Sequence, residues 1–170
     1  MWAYRAKGND AAVERVAKGL AEITLFADVA HCELATLAYD RGDAAEAERH
    51  YLKSLAPEDR DRPFVAVVVR ALHAVEARPE AMRVIGAHAG GVNSSLFCAR
   101  MILRVYDWMF IGPDQVGKRI MQRLWAPRHK ALWSNPEFKK MLIETGVVAY
   151  WRRHGWPDRC RPKGDDFICD

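Results

Sequence analysis

The sequence predicts an all-α fold: an antiparallel helical-hairpin array (a solenoid) closed by a C-terminal helical cap. Three observations predict it. The chain resembles itself at a period of 34 residues, its apolar residues recur at helical spacing, and Gly, Asp and Pro punctuate it where helices should stop. The period is visible in two stretches, AYRAKGNDAAVERVAKGL near the start and AYDRGDAAEAERHYLKSL at 38–55. Each has a Tyr, a Gly-Asn-Asp or Gly-Asp turn, an Ala-rich helix and a closing Leu. Gly8 and Gly42 are 34 apart, Ala47 maps to Ala81, Tyr51 to Ile85, and Leu34, Val68 and Ile102 continue the spacing.

The elements follow in order. Val29, Cys32, Ala35, Leu37 and Ala38 place an apolar face on a helix from Asp28 to Tyr39. Gly42-Asp43 breaks it, and Asp43 is placed to cap a helix over Ala44 to Leu55, which Pro57 stops. Phe64 to Ala77 and Pro79 to Ala89 make the next pair, with Pro79 in a first turn where its missing N–H costs nothing. Gly90-Gly91 ends that pair. A fourth, looser pair is expected at 95–110 and 114–125, divided by Ile111-Gly112-Pro113-Asp114.

A 34-residue helix–turn–helix period resembles the tetratricopeptide repeat (TPR) family. Leu34 and Ala35 stand where that family has Leu-Gly, Gly42 matches its inter-helix glycine, Ala47 its small residue and Tyr51 its aromatic. Ser54 replaces a small Ala, Pro57 comes early, and the family's tyrosine has become Ala38 with Tyr39 adjacent. The resemblance implies TPR-like repeats over residues 1–125, the first partial and the fourth divergent. It also implies a groove lined by the first helix of each pair, at His31, Glu33, Thr36, Arg70, His73 and Arg104.

Past Trp125 the texture changes, and residues 126–170 are expected to form capping helices and a Cys-containing tail. Leu132, Asn135, Pro136 and Phe138, then Gly146, Val147, Tyr150 and Trp151, then Gly155, Pro157, Asp158 and Cys160 carry a pattern. It resembles the closing segment of bacterial TPR modules joined to adenylate-cyclase-like or winged-helix regulator domains. Asn135 should cap a helix that has Pro136 in its first turn. A repeat stack needs such a cap, because its last pair otherwise exposes a core face.

Composition sets the bounds on function. Half of the 170 residues are apolar and 28% charged, as in an ordinary globular domain. The longest apolar runs are too short to cross a bilayer, and Met1 to Asp10 lack the apolar run of a signal peptide. Residues 1–90 carry 12 basic and 14 acidic side chains, whereas 91–170 carry 14 and 8, so the second half is basic. Its patch comprises Lys118, Arg119, Arg123, Lys139, Lys140, Arg152 and Arg153, which suits an acidic or phosphate-bearing partner. The interleaved Trp125, Trp133 and Trp151 would allow nucleic-acid contact, but they fall at core spacing.

No catalytic constellation is found. The histidines at 31, 50, 73, 88, 129 and 154 form no HExxH or His-x-x-x-His pair, and neither a P-loop nor a Gly-x-Ser-x-Gly elbow occurs. Cys32 and Cys98 read as small buried residues. Cys160 and Cys169 lie nine apart in a Gly/Pro/Asp-rich tail that can close a loop, and three states stay open for them. They could form a disulfide, bind a metal with His154 and Asp158 or Asp170, or remain free thiols.

The expectation is therefore a non-enzymatic, cofactor-free interaction or regulatory module, part of a bacterial signalling or transcription-regulator protein. Its partner would be a protein, a peptide or another domain of the same chain. The half-repeat at the start points to a longer chain or to dimerisation through that end. The alternatives are a periplasmic sensory domain of a membrane-bound regulator, and a nucleic-acid accessory protein using the basic half. A cytoplasmic location is favoured, changing to periplasmic if the tail cysteines are bonded.

Overall fold

The computed structural model describes residues 1–87, 94–106 and 124–170. His88, Gly90, Gly91, the break at 111–114, the second helix of the fourth pair (residues 114–125) up to 123, and Lys118, Arg119 and Arg123 of the basic patch lie outside them. The described chain is mostly helical, as expected, with a small two-stranded sheet at its C-terminal end. It forms two compact units. One is Asn9–Trp108 with Met1 and Ala3; the other is Met109–Asp170 with Trp2 and Tyr4–Gly8.

The first unit is built from α2 (Asp10–Ala21), α3 (Ala27–Asp40), α4 (Ala44–Lys53), α5 (Pro63–His73), α6 (Arg78–Ala87) and α7 (Ser94–Leu103). Helices α2, α4 and α6 begin at positions 10, 44 and 78, 34 residues apart. Two of these starts share one local mechanism. Gly8 and Gly42 take φ of 70° and 81°, a region that costs glycine nothing. The next residue then caps the helix: Asn9 Oδ1 accepts from the Ala12 N–H at 3.0 Å, and Asp43 Oδ1 from the Glu46 N–H at 2.9 Å.

The periodic positions are also the packed ones. Leu34, Val68 and Ile102 are buried, and so are Ala47 with Ala81 and Tyr51 with Ile85. Alanine without exposed surface at 47 and 81 lets neighbouring helices approach closely, and the larger side chains fill the space beyond. Helix α3 packs on α2 and α4, α5 packs on α4 and α6, and α7 packs on both α6 and α3. In an open stack each pair touches only its neighbours. Here α7 reaches back to α3 and covers a further side of it. The expected helix over 64–77 ends at His73, where Ala74 turns extended (φ −131°, ψ 113°) before a 3₁₀ turn at Val75–Ala77.

The second unit contains α1 (Trp2–Ala6), a 3₁₀ turn at Pro127–His129, α8 (Lys130–Trp133), α9 (Pro136–Glu144), α10 (Val147–His154), β1 (Cys160–Lys163) and β2 (Asp166–Cys169). Asn135 caps α9, its Oδ1 accepting from the N–H groups of Glu137 at 2.9 Å and Phe138 at 3.4 Å. The core is aromatic. Trp125 lies against Trp133, Phe138 and Trp151, while Trp151, Trp156 and Phe167 touch one another. Trp133 is 1% exposed, and its indole N–H finds the Leu124 carbonyl at 2.7 Å, as a buried tryptophan requires.

Two features of this unit differ from the expectation. The tail was read as a loop in an all-helical chain, yet Cys160–Lys163 and Asp166–Cys169 pair antiparallel, Cys160 opposite Cys169. The strands are joined by the two-residue turn Gly164-Asp165, with Gly164 at φ 60°, as such turns need. The expectation for the first residues is a partial repeat of the array. Instead, Tyr4–Gly8 group with the C-terminal segment, and Arg159 Nη2 donates to the Ala6 carbonyl at 3.1 Å.

Candidate partner-binding site

The six groove positions divide into buried and exposed sets. Glu33 and Thr36 are 2% and 3% exposed, so they do not line a solvent-facing groove. The reason is α3 itself, covered by α2, α4 and α7, with every residue from Cys32 to Ala38 buried. Thr36 turns its hydroxyl inward and donates to the Cys32 carbonyl at 2.8 Å.

Arg70, His73 and Arg104 are exposed, and each is held by one carboxylate on another helix. Arg70 Nη1 lies 3.3 Å from Glu80 of α6, and His73 Nε2 lies 2.7 Å from Glu48 of α4. Arg104 Nη2 lies 2.6 Å from Asp40 at the end of α3. Their side chains keep 59%, 44% and 48% of their exposure, so each tie contributes about 0–1 kcal/mol and exchanges readily. Arg70 and His73 are three apart on α5 and share a face.

Arg104 has a further peculiarity. Its φ is 59°, in the left-handed region where a helix C-terminus usually has glycine. The Val105 N–H closes the turn on the Arg100 carbonyl at 2.9 Å. Among the described residues it is the one non-glycine with positive φ. The arginine is thus kept where the backbone prefers glycine.

His31 sits differently, half-buried at the α3–α4 contact. Its Nδ1 lies 3.0 Å from Nδ1 of His50, and His50 Nε2 lies 3.0 Å from Glu46 Oε1. Arg49 also pairs with Glu46. Burial holds both imidazoles below their usual pKa; for His31 the neighbouring His50 adds to this, and for His50 the Glu46 carboxylate opposes it. As partners, His50, Glu46, Glu48, Asp40 and Glu80 were not legible in the sequence. Only the i,i+4 spacing of Glu46 and His50 on α4 was there to find. The other pairings depend on how helices cross.

In the second unit three of the four described members of the basic patch are engaged. Lys139 Nζ lies 2.5 Å from Asp166 and 4.9 Å from the centre of the Phe167 ring. That hydrogen bond, before all else, holds the Asp166 carboxyl below its usual pKa. Lys140 is 4.0 Å from Glu144, Arg152 donates to the Asp165 carbonyl at 2.8 Å, and Arg153 is exposed.

Cys160 and Cys169 are joined as a disulfide, with Cα atoms 4.1 Å apart at the first register position of the hairpin. His154 stacks on Tyr150, ring centres 4.5 Å apart, rather than joining the sulfurs. Among the described residues no group of three or more His, Cys, Asp and Glu side chains is placed to hold a metal ion. Cys32 and Cys98 are buried thiols. No helix among the described residues is long and apolar enough to cross a membrane. No family model, no curated protein and no solved structure matches this chain.

Proposed function

We propose that the chain is a TPR-like protein-interaction module whose first unit docks a protein or peptide segment carrying carboxylates. The observation that carries this reading is the set Arg70, His73 and Arg104, exposed basic side chains on or beside α5 and α7. Among the described residues each is paired with one carboxylate in a weak, partly solvent-exposed contact that a partner's carboxylate could replace. The 34-residue spacing of helix starts and of buried Ala47 and Ala81 supports the repeat character. The left-handed backbone at Arg104 supports a functional reason for keeping a cation there.

The test is a peptide display selection on the full chain, with selected peptides then titrated against Arg70→Ala, His73→Ala and Arg104→Ala. Enrichment of acidic peptides, each variant weakening them several-fold, is expected. Peptides that bind all three variants as well as the parent would overturn the reading.

A second reading, a periplasmic or otherwise exported sensory domain, is favoured by one observation, the Cys160–Cys169 disulfide. Such bonds persist in oxidising compartments.

A further inference from the structure

We propose that His31 and His50 form a two-imidazole site for a divalent transition metal ion of the zinc, copper or nickel type, with Glu46 orienting the His50 ring. The two rings come from adjacent, packed helices, α3 and α4, nineteen residues apart in sequence. Their nearest atoms are the two Nδ1 nitrogens, at 3.0 Å, and the ring centres are 5.1 Å apart.

That approach has a simple protonation logic. The Glu46 carboxylate accepts from Nε2–H of His50 at 3.0 Å, which leaves Nδ1 of His50 as a lone pair. His31 must then place its own proton between the two Nδ1 atoms. A metal ion can take that place once His31 carries its proton on Nε2 instead, so that both Nδ1 atoms, 3.0 Å apart, present lone pairs. Two imidazole nitrogens at 2.0–2.1 Å from one ion, at an angle of roughly 90–110°, are about 2.9–3.4 Å apart. The observed 3.0 Å falls within that span.

The surroundings match what a ligand histidine has elsewhere. Metal-bound imidazole commonly donates its other N–H to a carboxylate, which fixes the tautomer and raises basicity. Glu46 does this for His50, on the same helix and one turn earlier, and the His50 side chain is only 12% exposed. Imidazole suits zinc, copper and nickel rather than calcium or magnesium, which take oxygen ligands. Among the described residues no third side chain completes the set. The ion would therefore keep open positions for water or for a donor brought by a bound partner. This places no demand on the peptide-binding reading of Arg70, His73 and Arg104.

The experiment is calorimetric titration of the full, oxidised chain with zinc, copper(II) and nickel(II) salts at neutral pH. One ion per chain is expected, with binding lost in His31→Ala and in His50→Ala. Glu46→Gln should weaken it by roughly 10–100-fold. His73→Ala, and Cys160→Ser combined with Cys169→Ser, should leave it unchanged. Circular dichroism checks that each variant folds. Copper EPR on the unaltered chain gives an independent reading, with a signal split by two imidazole nitrogens expected. Absence of binding, retention in both histidine variants, or loss only in the tail-cysteine variant would overturn the proposal. If either histidine variant unfolds, the EPR spectrum decides, and a signal without nitrogen splitting rejects the site.

Discussion

The two units solve the problem of a small core by different means. In the first, alanines recur at the helix contacts: Ala17, Ala30, Ala35, Ala47 and Ala81 are all without exposed surface. Close helix approach, repeated every 34 residues, spreads stability over many small contacts. In the second, the helices are short (α8 has four residues and α10 eight), too short to be stable on propensity alone. A few large rings and one covalent bond do the holding. Substitutions should therefore fail in opposite directions: adding volume breaks the first unit, removing it breaks the second.

The largest effect is expected from Trp133→Ala. It removes a ring that is 1% exposed together with its 2.7 Å hydrogen bond, a truncation that costs about 3–5 kcal/mol. The near-UV circular dichroism of the tryptophan cluster should collapse, with most far-UV helix signal kept, because α2 to α7 lie in the other unit. The converse change is Ala47→Trp, at a position without exposed surface, where overpacking costs about 1–3 kcal/mol or more. Its far-UV signal should melt early and the aromatic signal late. If each variant loses both signals together, the two units unfold as one and the contrast is wrong.

Reduction of Cys160–Cys169 sharpens the contrast further. The bond closes a loop with a sequence separation of 9, for which the chain-entropy estimate is about 2–3 kcal/mol. A reductant should lower the melting of the aromatic cluster through Phe167, which is 1% exposed between Trp151 and Trp156. The helices of the first unit contain no disulfide and should melt unchanged. Equal shifts in both signals would show that the tail supports the whole chain.

Acid should do the reverse and act on the first unit. Burial, chiefly, holds the folded pKa values of His31 and His50 below the ordinary histidine value of about 6.5. The unfolded chain therefore binds protons more readily than the folded one, and their contribution to stability is complete above about pH 6.5 and falls as pH drops below it. The charged groups facing the pair are Glu46, Arg49 and Lys53 of α4 and Glu22 after α2. The carboxylate Glu14, held low first by Lys18 and then by Arg41, matters only at lower pH. A thermal melt followed from pH 7.5 to 5.5 should lose stability, and His50→Ala should flatten that slope. An unchanged slope would mean that the two rings do not sit together in solution.

What the sequence made legible follows the same division. The helix starts at 10 and 44 were readable because a local signal, Gly followed by Asn or Asp, coincides with a global period; the start at 78 has the period and Pro79 in its first turn, without that signal. The core positions 34, 47, 51, 68, 81, 85 and 102 followed from that period. Burial of Glu33 and Thr36 was not readable, since α3 is covered by α2, α4 and α7 together, an arrangement no local pattern encodes. The hairpin was hidden because its strands are four residues long and one contains Pro162, which argues against a strand unless it lies at an edge. The placement of Tyr4–Gly8 with the C-terminal unit rests on contacts such as Arg159 to Ala6, 153 residues apart. Of the proposed binding surface, Arg70, His73 and Arg104 were expected from a family resemblance, and their carboxylate partners were not.

The smallest expected effect is also the most discriminating, because it separates fold from function at one residue. Arg104 has φ 59°, and a side chain there costs roughly 1–2 kcal/mol relative to glycine. Arg104→Gly relieves that strain. It also gives back about 0.4–1 kcal/mol through a more flexible unfolded chain. Loss of the Asp40 tie takes another 0–1 kcal/mol or so. The terms nearly cancel, so the melting temperature should move by no more than about 2–4 °C. Arg104→Ala keeps the strain and loses the tie, so it should be the less stable of the two, by about 1 kcal/mol. That order, glycine above alanine, inverts the usual preference within helices. Alanine equal to or better than glycine would mean that residue 104 is not left-handed in solution. With the order as expected, Arg104→Gly becomes a clean probe of the proposed binding surface. A near-parental melt with acidic peptides bound several-fold more weakly would tie the arginine to recognition, whereas parental binding would leave it a strained residue with no recognition role.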